Sequence, residues 1–164
     1  MATYQQLFNL CKKKFNISWL YGQSHANEKL FLTEKAKQYP TLCVGFLNII
    51  HPDRLHIIGP AEIEFFNQIS HDARIGFLQK LVDNKSLGLV VCLDLALPDD
   101  MIQPLIDTNL PVFGTSEPPE KVLTFVRHNI VKLLAPSCSM HGVFMDVFGM
   151  GILLSGQSGI GKSE

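Results

Sequence analysis

Eight residues near the carboxyl end of the sequence have the composition and spacing of a phosphate-binding P-loop. The pattern G-x-x-x-x-G-K-[S/T] is matched by Gly156, Gln157, Ser158, Gly159, Ile160, Gly161, Lys162 and Ser163. The glycines allow the backbone to wrap closely around a phosphate chain, so that successive N–H groups form an anion nest. Lys162 is suited to contact the β- and γ-phosphates, and the Ser163 hydroxyl is a candidate ligand for Mg²⁺. The motif therefore predicts a nucleotide phosphate site at residues 156–163.

The residues before this loop predict the strand that a P-loop requires. Residues 152–154 are an apolar run that ends just before the loop, and residues 140–148 are a second apolar run. The two runs flank Gly149 and Met150, a compact turn signal, so they predict an antiparallel hairpin. A complete P-loop domain also needs a helix after the loop, further strands and an acidic residue, all of which we expect beyond residue 164. We accordingly expect residues 1–164 by themselves to be inactive.

The rest of the sequence alternates helical and strand patterns. Strands are predicted at 17–21, 42–50, 55–58, 87–93 and 111–115, and residues 22–41 are predicted to be irregular. Helices are predicted after Thr3, near Ala61, after Ser70, from Pro98, and from Thr115 or Ser116 to Leu134. The run at 87–93 is typical of a strand covered on both faces. Strands and helices joined by short links predict an α/β fold with a parallel sheet.

A change of pattern after Pro136 predicts two units. We expect an N-terminal α/β domain at residues 1–130, a connector at 131–137, and the start of a P-loop domain at 138–164. The N-terminal unit is predicted to be a parallel-sheet domain, and the second to open with the first β-hairpin and the P-loop.

Composition restricts the classes of protein that fit. The 164 residues carry a net charge of −1, with 46% hydrophobic and 18% charged residues, as in an ordinary folded domain. This charge balance gives no basis for nucleic-acid or anionic-membrane binding. The amino terminus lacks a secretory signal pattern, and no apolar run is long enough for a membrane helix. A cytoplasmic location is the expectation.

Several stretches resemble the bacterial HPr kinase/phosphorylase family. The most specific are residues 140–147, which begin Met-His-Gly-Val, and the run Leu-Leu-Ser-Gly-Gln-Ser-Gly-Ile-Gly-Lys-Ser-Glu at 153–164. Residues 44–59, 110–113, 134–136 and the stretch around Leu93 also resemble the family. The resemblance covers residues 40–164, and residues 1–39 match only loosely.

The resemblance implies a function. Family members use ATP and Mg²⁺ to phosphorylate a serine of HPr, a small phosphocarrier of the sugar phosphotransferase system. They reverse the reaction by phosphorolysis with inorganic phosphate, which yields pyrophosphate, and they assemble as hexamers through their P-loop domains. Their N-terminal domain is similar to one in Mur ligases. By this resemblance His141 and Lys162 are catalytic candidates, residues 156–163 bind ATP and Ser163 binds the metal.

Two departures from the family pattern accompany the resemblance. Gln157 stands where family loops often have an acidic residue, and its effect should be modest because the loop acts through its backbone. The family's catalytic aspartate, its magnesium-binding glutamate and its HPr-contacting segment are expected beyond residue 164.

The other chemically capable side chains favour structural roles. Asp146 is expected to be solvated or to stabilise the hairpin, and Asp94 to have a loop or capping role although it follows a strong parallel strand. The remaining histidines show no metal-ligand spacing and are expected in core or surface positions: His25, His51, His56, His71 and His128. The aromatic residues Trp19, Phe65 and Phe66 and the cysteines Cys43 and Cys92 are expected in the core.

Two further hypotheses stay open on the sequence alone. The chain could be a free-standing α/β regulatory or assembly module with a non-functional P-loop. It could also be a P-loop nucleotide-binding protein of another type, although common GTPases begin almost at their P-loop.

Overall fold

Five strands of the N-terminal unit form one sheet in the order β1-β5-β4-β3-β2. The computed structural model describes residues 2–30, 32–47, 54–135 and 142–155. The strands of this sheet are β1 (Ile17–Tyr21), β2 (Val44–Phe46), β3 (Leu55–Ile58), β4 (Gly88–Val91) and β5 (Val112–Thr115). The helices are α1 (Tyr4–Lys12), α2 (Glu34–Gln38), α3 (Pro60–Gln68), α4 (His71–Asp83), α5 (Asp99–Thr108) and α6 (Pro119–Leu134).

The predicted α/β fold with a mainly parallel sheet is confirmed. β2, β3, β4 and β5 pair in parallel, and helices connect β3 to β4 and β4 to β5. β1 is the exception, because it pairs antiparallel with the edge of β5, with Ile17 opposite Thr115. Strands of a parallel sheet covered on both faces are mostly apolar, and both β3 and β4 are fully buried along their length.

Two hydrophobic clusters cover the two faces of the sheet. Successive strand residues point to opposite faces, so Leu55 and Ile57 belong to the cluster beneath α1 and α6, while Ile58 belongs to the cluster beneath α3, α4 and α5. In α6 the buried positions recur at helical spacing: Val122, Val126 and Ile130. Burial of this stripe holds α6 against the sheet, at about 25 cal/mol for each Å² of apolar surface removed from water.

The N-cap residues of α1 and α4 are the ones that the sequence predicts. The Thr3 hydroxyl accepts from the Gln6 amide while the Gln6 side chain accepts from the Thr3 amide, a reciprocal capping box. The Ser70 hydroxyl accepts from the amide of Ala73, as predicted. α5 begins at Asp99, so that Pro98 is the capping residue and not the first helical residue.

The predicted cap of α6 at Thr115 or Ser116 is wrong. The helix begins at Pro119 after Pro118, which has no side-chain oxygen to offer. The Thr115 hydroxyl instead donates to Asn16 O at 2.8 Å and accepts from the amide of Glu117 at 3.3 Å. This hydroxyl therefore ties β5 to the segment before β1, a tertiary bond that sequence periodicity does not reveal.

Some predicted strands are shorter in the structure. Residues 40–43 form a 3₁₀ turn, so the strand expected at 42–50 is only Val44–Phe46 within the described residues. The strand expected at 87–93 ends at Val91, because Leu93 and Asp94 turn the chain with φ of 58° and 51°. The segment predicted to be irregular, 22–41, contains the short helix α2 and a 3₁₀ turn at Gln23–His25.

The core assignments hold with one exception. Phe66, Cys43 and Cys92 are buried, and Trp19 packs against the cluster beneath α1 and α6. Phe65, expected in the core, is half-exposed, since it comes one position before the buried Phe66 on α3 and so lies on a different side of the helix. None of the helices within the described ranges is both long and apolar enough to cross a bilayer.

The predicted hairpin after the N-terminal unit is confirmed. β6 (Gly142–Val147) pairs antiparallel with β7 (Met150–Ser155) through a two-residue turn. The turn residues are Phe148 and Gly149, with φ of 55° and 81°, one position earlier than the predicted Gly149-Met150. Two successive left-handed residues form the turn type that matches the twist of paired strands.

Candidate phosphate-binding site

The strand β7 leads directly into the predicted P-loop. It ends at Ser155, and Gly156, the first residue of the motif, follows it in the sequence. The prediction that a strand precedes the loop is thus confirmed. The predicted site residues themselves, His141 and 156–163, lie outside the described residues, so their roles stay predictions.

The hairpin joins the two predicted site segments at one end. Gly142 pairs with Ser155 and Val143 pairs with Leu154. Gly142 is the residue after His141, and Ser155 is the residue before Gly156. The residues next to the two candidate segments, Gly142 and Ser155, therefore face each other at the end of the hairpin opposite its turn.

Gly142 allows β6 and β7 to pair closely at this end of the hairpin. A Cβ added at Gly142 would lie 2.5 Å from Leu154 O and 3.0 Å from a methyl carbon of Leu153. Any side chain at this position would push β6 away from β7 immediately before the loop. Gly142 belongs to the Met-His-Gly-Val stretch that resembles the family, but the sequence gives no sign that this glycine closely approaches a facing strand.

The turn at the other end of the hairpin is held by Asp146. Its carboxylate oxygen Oδ1 accepts a hydrogen bond from the Gly149 amide at 2.9 Å. This contact agrees with the hairpin-stabilising role expected for Asp146. It is also the one ionisable side chain in the stretch 142–155, so this stretch contributes no cation toward a phosphate. Positive charge at the site is therefore expected from outside residues 142–155, with Lys162 as one predicted source.

The hairpin presents large apolar side chains to solvent. Phe144 is 71% exposed and Phe148 is 99% exposed, and Met150 and Leu153 are also exposed. The ring of Phe144 lies over Gly151 on the facing strand, since a Cβ there would approach its Cζ to 2.6 Å. This cross-strand contact adds to the hydrogen-bonded ladder in fixing the register.

Asp94 has a loop role in the structure. It lies in the turn after β4, where its amide donates to Thr115 O at 3.1 Å and the Leu93 amide donates to Glu117 O at 3.2 Å. These bonds join the carboxyl ends of β4 and β5. The contacts anchor a turn and bring no second functional side chain to Asp94.

The other histidines take core and surface positions. His56 is fully buried and its Nε2 lies 3.3 Å from the Ser86 hydroxyl. His71 and His25 each contact a carboxylate, of Asp100 and Glu28 respectively. No group of three acidic, histidine or cysteine side chains in the described ranges is arranged to hold a metal ion. His51 lies outside those ranges.

Together these features define the class of protein: a parallel α/β unit followed by a β-hairpin that leads directly into a P-loop sequence. Comparison with known families is more specific. Residues 4–130 match the family described as "HPr Serine kinase N terminus", and residues 132–164 match "HPr Serine kinase C-terminal domain". The chain belongs to the HPr serine kinase family.

Curated relatives are similar over nearly the whole chain. An HPr kinase/phosphorylase of Paraburkholderia phymatum is 33% identical over 162 residues, which are 98% of this chain and 50% of the relative. HPr kinase/phosphorylases of Xylella fastidiosa and of Xanthomonas campestris are each 26% identical, over 99% of this chain and 51% of the relative. The chain spans about half the length of the curated relatives that it matches.

Proposed function

We propose that this chain is part of an enzyme that uses ATP and Mg²⁺ to phosphorylate a serine of HPr. The same enzyme would reverse the modification by phosphorolysis with inorganic phosphate and so regulate carbon metabolism. The observation that supports this proposal most strongly is that the two family matches follow one another with only residue 131 between them, and that the P-loop sequence comes directly after β7. The curated relatives named HPr kinase/phosphorylase support HPr as the protein substrate.

The proposed residue roles follow from charge and position in the motif. Lys162 would bind the β- and γ-phosphates of ATP, and the amides of 156–163 would surround the phosphate chain. Ser163 would supply a hydroxyl ligand to Mg²⁺, whose chemistry is to neutralise charge on the phosphate oxygens. His141, the residue before β6, would bind phosphate oxygens as a nearby cation. That role requires charge and not nucleophilicity.

The organisation of the protein is also part of the proposal. We propose an N-terminal domain at 1–130, a connector at 131–137, and a P-loop domain that begins at 138. We further propose that the complete protein is a cytoplasmic homohexamer that binds neither nucleic acid nor membrane. The two alternatives, a free-standing module and another type of P-loop protein, account less well for a match that continues from the N-terminal family into the C-terminal one.

The proposed function is tested by substitutions in the full-length protein. Lys162→Ala should lower both kinase and phosphorolysis rates at least about a hundredfold, because both directions share one phosphoryl transition state. His141→Ala should lower both rates by a smaller factor. Gln157→Glu is the matched control in the same loop and should change either rate by less than about fivefold, because that residue acts through its backbone.

The readouts are phosphorylated HPr formed with ATP and pyrophosphate released from phosphorylated HPr. Circular dichroism should show the fold of each variant unchanged. Full phosphorolysis by Lys162→Ala would contradict the proposed role of the loop, and full phosphorolysis by His141→Ala would remove His141 from the site.

A further inference from the structure

Two arginines from distant parts of the sequence meet on the edge strand β2. Arg127, on α6, donates from Nε to Val44 O at 3.1 Å. The side chain of Arg54, just before β3, lies against the next residue of β2. A Cβ added at Gly45 would be 2.9 Å from Arg54 Nη1 and 3.3 Å from its Cζ. The two guanidinium groups thus lie beside consecutive residues of one strand.

Neither arginine is neutralised within the described part of the chain. The ion pairs formed there involve neither Arg54 nor Arg127. The Nε of Arg54 is buried and has no hydrogen-bond partner in the described ranges. A guanidinium carries five N–H donors, and leaving a buried charged donor unsatisfied is costly. Within residues 2–30, 32–47, 54–135 and 142–155 the pair therefore has spare donors and no carboxylate partner.

The two positive charges also repel each other. Burial, and next the positive charge of Arg127, lower the pKa of the Arg54 guanidinium. An anion bound between the two side chains would relieve this repulsion. Gly45 contributes by having no side chain, because a methyl group there would lie 2.9 Å from Nη1 and the guanidinium would have to shift to make room.

We propose that Arg54 and Arg127 form an oxyanion site for a phosphate group, either free phosphate or a phosphate monoester. The doubly charged form of phosphate balances two guanidinium charges, whereas one carboxylate balances only one. Guanidinium groups also bind phosphate oxygens through pairs of parallel N–H bonds, which a lysine cannot copy. The site is on the N-terminal unit and uses no residue of the P-loop, so it goes beyond the proposed function and does not depend on it.

The direct test follows the side-chain Nε–H resonances of the arginines by NMR during titration with inorganic phosphate. The 164-residue chain is used with Lys162→Ala as background, so that the P-loop lysine makes no contribution. Arg54 and Arg127 Nε–H resonances should shift together and saturate. Arg127→Gln, at an exposed position, should weaken the apparent affinity at least tenfold, and Arg54→Gln should do the same where that variant folds.

Three controls distinguish a specific phosphate site from nonspecific attraction of anions to positive charge. Gly45→Ala keeps every charge but displaces Arg54, so it should weaken binding at least fivefold. Lys132→Gln removes a cation from the same helix and should change the affinity by less than twofold. Chloride at equal ionic strength should give no saturable shift. The absence of saturation with phosphate, or equal weakening by Arg127→Gln and Lys132→Gln, would overturn the proposal.

Two further titrations identify the form of phosphate. Glycerol phosphate should bind as tightly as inorganic phosphate if a monoester is accepted, and at least tenfold more weakly if the site encloses the free ion. Acetate should bind at least tenfold more weakly than either, because it has one negative charge. Equal affinity for acetate and phosphate would overturn the assignment to phosphate.

Discussion

Arg74 joins three segments on the face of the sheet covered by α3, α4 and α5. Its Nε donates to both carboxylate oxygens of Asp100, at 3.0 and 2.9 Å, and its Nη1 donates to the carbonyl oxygens of Phe66 and Ile69. His71 Nδ1 lies 2.8 Å from the same carboxylate. One guanidinium thereby holds the end of α3 and the start of α5 against α4.

This network predicts a pH dependence of stability. Hydrogen bonds from Arg74, and next from His71, hold the pKa of Asp100 below its ordinary value of 3.8. A group whose pKa is lower in the folded state stabilises the fold above its unfolded pKa, and the stabilisation is lost as pH falls through the folded pKa. Asp100→Asn should therefore lower the melting temperature near neutral pH, with the difference from the wild type shrinking below about pH 4.

Thermal unfolding of both proteins from about pH 7 to about pH 2.5 measures this difference. Asp99→Asn is the matched control, because it removes the neighbouring carboxylate of the same first helical turn without touching Arg74. A constant difference between the wild type and Asp100→Asn across this range would show that the carboxylate does not stabilise the network.

The sequence could not predict this cluster or the Arg54–Arg127 pair. Arg74 and Asp100 are separated by 26 residues, and Arg127 and Val44 by 83. Periodicity reports which face of its own element a residue occupies, while such contacts depend on how separate elements are placed. The P-loop was accessible because its residues are consecutive and its chemistry resides in a local backbone shape.

At the level of elements, the sequence predicted that the strands and the hairpin exist, but it predicted less well the residues at which elements begin and end. The continuous apolar run that includes β4 indicated a buried strand correctly, since a strand covered on both faces is typically apolar along its length. Its end was missed because Leu93, a residue type that does not favour the left-handed region, adopts it together with Asp94. The start of α6 was missed because the Thr115 hydroxyl bonds to Asn16. In each case a tertiary contact overrode the local signal.

The close pairing of β4 with the chain before β5 depends on Gly88. Its φ of +135° is barred to residues with a side chain, and a Cβ there would collide with the carbonyl oxygen of Pro111. That oxygen already accepts the Leu89 amide at 2.9 Å, so the backbone cannot withdraw without breaking the ladder. Gly88→Ala should therefore destabilise the fold by about 2–5 kcal/mol, the sum of backbone strain and overpacking.

Gly76 provides the opposite case in the same protein. It lies within α4, and a Cβ there would meet nothing within 4 Å. Gly76→Ala should be neutral or stabilising by up to about 1 kcal/mol, because alanine has the higher helix propensity. Urea denaturation of both variants measures the two effects, and equal stability of Gly88→Ala and Gly76→Ala would show that the β4–β5 approach is not as close as described.

At the scale of the whole molecule, α6 leads from the sheet to the proposed boundary between the two units. Its first part is fixed to the sheet by Val122, Val126 and Ile130, all fully buried. Val131 and Lys132 are exposed, and the helix ends at Leu134. The hairpin residues belong to neither of the two hydrophobic clusters. Helix ends with few buried contacts open more readily than helix centres.

The proposed boundary predicts where proteases cut first. Cleavage requires a locally unfolded segment of several residues, and the last turn of α6 with the connector is the expected place. Limited digestion by chymotrypsin or trypsin should therefore make its first cut between Asn129 and Ser139. The N-terminal product should persist, because both clusters that cover the sheet lie before this window.

A single substitution sharpens this experiment. Lys132 is the one trypsin site between residues 129 and 139, so Lys132→Gln should delay the first tryptic cut while leaving chymotryptic cleavage after Leu133 or Leu134 unchanged. Mass spectrometry of the early products locates each cut. First cuts within residues 55–115 would contradict the two-unit organisation, because those residues form β3, β4 and β5 and the helices between them, which a stable N-terminal domain must protect.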